Sequence, residues 1–243
     1  MSENERGRWS LPEIANKIKR RTGYYKRQYL KKHPDVKNAI FLWIPKNGGT
    51  SMYNALKPLG MQYLTNEAAL RFYFPNKGMV SFGPLSYSYL LDSNQVTHSF
   101  HHSAYKFAIT RNPFDRAVSS YFYFKKNKWI NPKMDFNEFT MHIEKIDFDK
   151  VVSTYNTYEG YLFPQFCYIS HNNHICVDFL ARLETIHQDV EVIKKKLDLD
   201  FAFPHMNSTV HESFENFYCS ESKRRIQNVY EKDFKSFDYS IDF

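Results

Sequence analysis

Residues Ala39–Leu56 read AIFLWIPKNGGTSMYNAL. The continuous apolar run Ala39–Ile44 predicts a strand buried on both faces. It breaks at Pro45 into the turn Lys46-Asn47-Gly48-Gly49-Thr50-Ser51, and a helical pattern follows over Thr50–Lys57 until Pro58 and Gly60 stop it. Strand, glycine turn and helix in that order form an anion cradle. Glycine lets the backbone approach a ligand, and the first N–H groups of a helix lack internal partners and point at it. Thr50 and Ser51 add hydroxyl donors, and Lys46 adds a full positive charge. The lysine separates this turn from the Walker A pattern, which sets lysine directly before Ser/Thr. Gly49 holds that place here, and Lys46 approaches from the strand end.

A second strand-to-helix junction follows at Tyr105–Thr110, YKFAIT, which opens into RNPFDRAVSSYFYF. Asn112 is a suitable N-cap and Pro113 fits the first helical position, so a helix is expected from Pro113 to about Lys126. Arg111 then ends a strand beside a helix N-terminus, where an arginine makes a second anion site. Ser119 lies two turns into that helix, eight positions after Arg111.

The pair PKNGGTS and RNPFDRAVSSY resembles the two nucleotide signatures of sulfotransferases that use 3′-phosphoadenosine 5′-phosphosulfate (PAPS). FPQFCYIS, VDFLARLETIHQDVEVIKKKLDL, FPHMN and VYEKDFKSFDY extend the resemblance to about Tyr239. They fit the carbohydrate branch, which includes heparan sulfate 2-O-sulfotransferases and bacterial relatives. The resemblance implies an α/β fold in three layers, with a mostly parallel central sheet and a P-loop-like strand-turn-helix. It implies PAPS as sulfonate donor, a carbohydrate acceptor and no metal. Lys46, Asn47, Gly48, Gly49, Thr50 and Ser51 would hold the 5′-phosphosulfate, and Arg111 and Ser119 the 3′-phosphate.

Sulfuryl transfer is an in-line displacement, so the protein must align two oxygens and neutralise charge on the leaving phosphate. Lys46 suits the second task, with backbone N–H groups as fixed dipoles. The acceptor hydroxyl also needs a base. Relatives commonly place a histidine just after the strand preceding the second signature, but this chain reads Phe82-Gly83-Pro84-Leu85. His101 and His102, with His98, are the substitutes nearest in sequence, and Glu67 is a further option. Leu183 departs from the pattern as well: relatives often carry an aromatic residue before the equivalent of Glu184, where it can stack on adenine.

The remaining sequence frames these sites. With 243 residues and 42% hydrophobic content, one large domain over 36–243 is expected, after a basic extension over 1–35. In that extension Leu11, Ile14, Ile18, Tyr25 and Tyr29 fall near one helical stripe among Lys17, Lys19, Arg20, Arg21, Lys26 and Arg27. It reads as a solvated helix across the domain, with contact to an anionic membrane or glycan as the functional alternative. The net charge of +7 favours acidic partners, and the aromatic share of 18% favours a packed core. Three cysteines without framework spacing, and no 20-residue apolar run, point to a cytoplasmic protein. Cys167, His171, His174 and Cys176 lack the usual paired zinc spacing.

Shorter signals complete the expected elements. They are a helix over Asn66–Phe72, a strand over Met79–Phe82, a helix over Leu85–Leu91, a polar loop at His98–His102 and a strand over His174–Leu183. Capping boxes are expected at Asp135/Glu138 and Thr185/Gln188, and a cap at Ser220 before a last helix. Two other function classes compete with sulfonate transfer. A nucleotide or small-molecule kinase is disfavoured by the position of Lys46 and by the lack of a metal-holding Asp at a strand end. A non-catalytic phosphate-, nucleic-acid- or membrane-binding protein would use Lys46 and Arg111 only as contacts, with nucleic acid the disfavoured partner.

Overall fold

The computed structural model of the chain describes residues 11–12, 14–15, 19, 23–64, 77–148, 158–204 and 213–243. Five parallel strands form its centre: β1 (Ala39–Leu42), β2 (Gln62–Leu64), β3 (Met79–Phe82), β4 (Tyr105–Thr110) and β7 (Phe179–Arg182). Their spatial order is β2-β3-β1-β4-β7. The register pairs Leu42 with Phe82 on one side and with Ala108 on the other, so β1 and β3 end level while β4 runs on to Thr110. A two-stranded antiparallel hairpin, β5 (Ser170–His171) with β6 (His174–Ile175), stands apart from this sheet.

Both faces of the sheet are covered, as a parallel sheet requires. Along β1, Ile40 and Leu42 face a core with Val80, Phe82 and Ala108, together with Tyr87, Leu90, Phe100 and Ile169 from helices α3 (Tyr87–Asp92), α4 (His98–Ser103) and α7 (Gln165–Ile169). Ala39 and Phe41 face the opposite core with Met79, Phe107 and Ile109, under Met52 and Leu56 of α2 (Gly49–Leu56) and Val190 and Ile193 of α8 (Ile186–Leu197). The two-residue alternation of a strand assigns each side chain to its face. A third core joins α5 (Pro113–Lys126), α6 (Phe136–Glu144), α9 (Ser220–Val229) and α10 (Glu231–Phe237) through Phe114, Phe124, Phe139, Ile226, Tyr230 and Phe234. The result is the three-layer α/β fold expected from the strand-turn-helix signals.

Several local expectations hold and several change. Asn112 caps α5 by accepting from Phe114 N, and the Asp135/Glu138 box closes with both bonds. The box expected at Thr185 is absent. Asp189, one turn into α8, takes the Thr185 hydroxyl at 2.8 Å and Arg182 N at 2.8 Å, so its carboxylate fastens the strand end in place of a threonine cap. At the start of α9 the N-cap is Cys219, whose N–H donates to Ser222 Oγ, and Ser220 is the first helical residue. The last helix divides at Tyr230 (φ −108°, ψ 23°) into α9 and α10. The run His174–Leu183 also divides, into β6 and β7, because the Asp178 carboxylate and N–H turn to Lys106. His98–His102 is helical rather than a loop.

The expected helix Asn66–Phe72 and Glu67 lie outside the described residues. Near the amino terminus, residues 11–12, 14–15 and 19 are helical, and Gly23 at φ 65° opens α1 (Tyr24–Lys32). Helix α1 docks through Tyr29, whose hydroxyl donates to Gly60 O at 2.7 Å. Among the described residues no helix is long and apolar enough to cross a membrane.

The turn after β1 is held tight by packing. A Cβ on Gly49 would fall inside the indole of Trp43. Gly49→Ala must therefore displace a large aromatic side chain or tilt α2, an overpacking cost of roughly 1–3 kcal/mol. Urea denaturation should register that loss, and an unchanged midpoint would overturn this account of the turn.

Candidate active site

The chain moves from β1 to β2 and β3 on one side, then crosses to β4 and β7 on the other, so its direction reverses between β1 and β4. Crevices at such a reversal open at the carboxyl ends of the strands, where α/β proteins bind ligands. Both anion-binding turns leave from these two neighbouring strands.

In the first turn Lys46 and Gly48 have positive φ, 70° and 76°. Gly48, which has no side chain to act as a cap, occupies the N-cap of α2, and the first helical bond runs from Met52 N to Gly48 O. The first N–H groups of α2 precede that bond and point toward the crevice, as an anion site requires. Thr50 is exposed and Ser51 buried. A Cβ on Gly48 would meet Leu183 Cδ1 at 2.9 Å and lie 3.7 Å from Phe203 Cζ, so these two apolar side chains wall the cradle on one side.

Arg111 is placed by the second turn and fixed by two partners. Its Nε and Nη2 each donate to Asp115 at 2.8 Å, and its Nη1 donates to Lys46 O at 3.0 Å. A guanidinium has five N–H donors, so two are left for a ligand. The arginine therefore clamps the backbone of the first turn while serving the second. Ser119 is 4% exposed on the same helix. Lys46 rests with Nζ 3.9 Å from the Tyr123 ring centroid. Burial, and then the charges of Arg111, Lys126 and Arg116, lower its pKa to about 8.

Beneath this surface lies a set of polar residues, of which Arg116 and Gln165 had no role assigned from the sequence and Asn47 had a different one. Arg116, 2% exposed, donates from Nε to Pro45 O at 3.1 Å and from Nη2 to Tyr161 O at 3.1 Å. Glu184 accepts from Asn112 N at 2.6 Å and from the Tyr239 hydroxyl at 3.0 Å, tying the end of β7 to the cap of α5. Gln165 bonds Asn47 and both backbone groups of Arg111. Asn47 itself is 1% exposed, and its amide points inward to Ile109 O and Gln165, so its side chain braces the turn from below. The spacing RNPFDR signalled charge at positions 115 and 116, but not its internal use.

Beside Lys46 stands a wall of rings. Tyr123 stacks on Tyr161 at 5.5 Å, and Trp43, Tyr53 and Tyr63 form a mutual cluster with centroids 5.0–6.1 Å apart. Tyr63 and Tyr123 act electrostatically on Tyr161, whose hydroxyl is raised to about 12 mainly by burial. Tyr123 meets the turn at Lys46, and Trp43 meets it at Gly49.

The structure does not bring His98, His101 and His102 to this cleft. Helix α4 precedes β4, and Lys106 Nζ donates to His101 O at 3.1 Å, which anchors His101 at the amino end of the strand. Arg111 stands at the other end, five residues on, or roughly 16 Å at the rise of a strand. His101 bonds Tyr87 at 2.9 Å, and burial and then Lys106 lower its pKa. The expectation of a base from this segment is therefore corrected. Nearness in sequence to β4 placed it at the wrong end. Pro84 does lie at the carboxyl end, after Gly83 N, which donates to Leu64 O at 3.1 Å.

A family model described as Sulfotransferase family, Sulfotransfer_2, matches residues 33–240. Among solved structures, mouse sulfotransferase SULT7A1 complexed with PAP is similar to 86% of this chain and 90% of its own, with a TM-score of 0.53 and 12% identity. No curated protein matches the sequence.

The buried guanidinium generates a prediction. Lysine at position 116 keeps the charge but cannot span Pro45 O and Tyr161 O together. Arg116→Lys should destabilise the protein by roughly 1–3 kcal/mol, the cost of a buried acceptor left unpaired. Equal urea midpoints for the variant and the wild type would show that the two contacts contribute nothing.

Proposed function

Because the chain belongs to the sulfotransferase family, we propose that it transfers a sulfonate group from PAPS to a hydroxyl of a carbohydrate acceptor. One observation carries the reading: two anion sites of the kind a 3′,5′-bisphosphate requires lie on adjacent strand ends, bonded to each other through Arg111 Nη1 and Lys46 O at 3.0 Å. PAP, adenosine 3′,5′-bisphosphate, is the product that such a transfer leaves, and the mouse sulfotransferase of similar fold was solved with it.

In the proposed reaction the bond between sulfur and the 5′-phosphate oxygen breaks as the acceptor oxygen bonds to sulfur. The proton of the acceptor hydroxyl leaves to water. The N–H groups at the head of α2 and the Lys46 ammonium take the growing charge on the leaving phosphate. Lys46 moves from the Tyr123 ring to do so, exchanging a cation–π contact for a phosphate oxygen. Arg111 supplies its two spare N–H groups, and Ser119 its hydroxyl, to the 3′-phosphate. Leu183 and Phe203 offer the adenine apolar contact beside Gly48. For the acceptor, the ring faces and hydroxyls of Tyr123, Tyr161, Tyr53 and Tyr63 suit a sugar, which presents both C–H faces and hydroxyls.

The direct test is calorimetry with adenosine 3′,5′-bisphosphate against ATP with magnesium and an oligonucleotide. Labelled-sulfonate transfer to panels of glycans and of simple phenols follows. Preference for ATP, or transfer to phenols alone, would sink the corresponding half of the proposal.

Two further outcomes are expected. Lys46→Ala should lower turnover by roughly 10²–10³-fold, the usual loss for one oxyanion donor, with the melting temperature unchanged. Near-normal turnover would remove its role. The second concerns pH. A lysine lowered to about 8 is charged below that pH and neutral above it. Affinity for the bisphosphate should therefore be level from pH 6.5 to 7.5 and fall above pH 8, by up to tenfold per unit. The fall should be absent in Lys46→Ala, and an identical fall in the variant would assign the titration to another group.

A further inference from the structure

Gln165 is wholly buried on α7, 118 residues from Asn47 and 54 from Arg111, yet it bonds both. Its Oε1 accepts from Asn47 Nδ2 at 2.6 Å and from Arg111 N at 3.0 Å, and its Nε2 donates to Arg111 O at 2.8 Å. The polarity is fixed by the backbone. Arg111 N can only donate and Arg111 O can only accept, so a reversed amide would set donor against donor and acceptor against acceptor. Asn47 in turn donates from the same nitrogen to Ile109 O at 2.8 Å. One amide thus joins the phosphosulfate turn to the strand end that delivers the 3′-phosphate arginine.

Gln165 is itself fastened from below. Asp233, 0% exposed on α10, accepts from Gln165 N at 2.7 Å and from Phe166 N at 2.8 Å. Its carboxylate serves the buried first N–H groups of α7 from a different part of the chain. Pro164, the N-cap of that helix, offers no side-chain cap of its own. The groups acting on Asp233 are these two N–H donors, the Gln165 side chain and the Arg116 guanidinium, and burial raises its pKa to about 6.

We propose that Gln165 is a positioning residue that holds the two anion sites at the separation of the two phosphates of one nucleotide, and that Asp233 holds Gln165. The inference rests on the nucleotide reading above and adds a specificity device to it. A bisphosphate gains from both sites at once only if their spacing is fixed in advance, since a loose pair would have to be ordered on binding. A monophosphate uses one site and is indifferent to the spacing.

That difference supplies the test. Affinities for adenosine 3′,5′-bisphosphate, 3′-AMP and 5′-AMP are measured by calorimetry on the wild type and on Gln165→Met, Gln165→Glu and Asp233→Asn. The wild type should prefer the bisphosphate over either monophosphate. Failure there would overturn the nucleotide reading itself, whatever the variants do. Given that preference, Gln165→Met should lose roughly 10–100-fold for the bisphosphate and less than about threefold for each monophosphate. Gln165→Glu, which sets a carboxylate oxygen against Arg111 O, should behave likewise, and Asp233→Asn should shift selectivity the same way by a smaller factor. Gln165→Glu and Asp233→Asn keep the volume of the core and decide the matter if the methionine variant does not fold. Equal losses for all three nucleotides would reduce Gln165 to a packing role, and unchanged selectivity would remove the proposal.

Discussion

The pairing of β1 with β4 in parallel is the constraint on which the rest depends. It brings together two strand ends that are 65 residues apart in the chain, at Lys46 and Arg111, and it aims both following helices at one crevice. A helix N-terminus attracts an anion, and an arginine at a strand end attracts another. Separately these are common features. Side by side at fixed register, they make a site for a ligand that carries two anionic groups.

Such a site is electrostatically unfavourable when empty. Arg111, Lys126 and Arg116 act on Lys46, and its lowered pKa records first the burial and then the repulsion. The protein limits this cost by giving each arginine fixed work. Arg111 is held by the Asp115 carboxylate and by Lys46 O, whereas Arg116 is held by two carbonyls and faces Asp233. Compared with these two arginines, Lys46 has, among the described residues, a ring face at Tyr123 as its side-chain contact. It is the cation free to move to an arriving phosphate, and it gains most from its arrival.

The parts legible in the sequence were those whose causes are local. The apolar run before PKNGGTS, the Asn112-Pro113 start of α5 and the Asp135/Glu138 box each depend on residues within a few positions, and each formed. What stayed hidden depends on distant partners. Gln165 stood in FPQFCYIS with no role of its own, and its amide has meaning only beside Asn47 and Arg111. Thr185 and Gln188 carried a capping pattern, but Asp189 competed for the threonine hydroxyl from one turn inside the helix. The histidines of α4 stand close to β4 in sequence. A strand has two ends, however, and a parallel sheet sends only one of them to the ligand crevice.

The high aromatic content finds its use in the third core. Helix α5 carries the second anion site, and its buried face packs on α6, α9 and α10 through Phe114, Phe124, Phe139, Tyr230 and Phe234. Tyr218 donates to Phe114 O at 2.9 Å, and Tyr239 reaches Glu184 at 3.0 Å, which in turn holds Asn112 N. The position of α5 is thus set by the carboxyl-terminal helices as much as by the sheet. Asp233 extends the same dependence to the first site through Gln165. The residues from Tyr218 to the last, far in sequence from both signatures, therefore belong to the framework of the proposed nucleotide site, because they supply the buried carboxylate and ring contacts that neither signature contains.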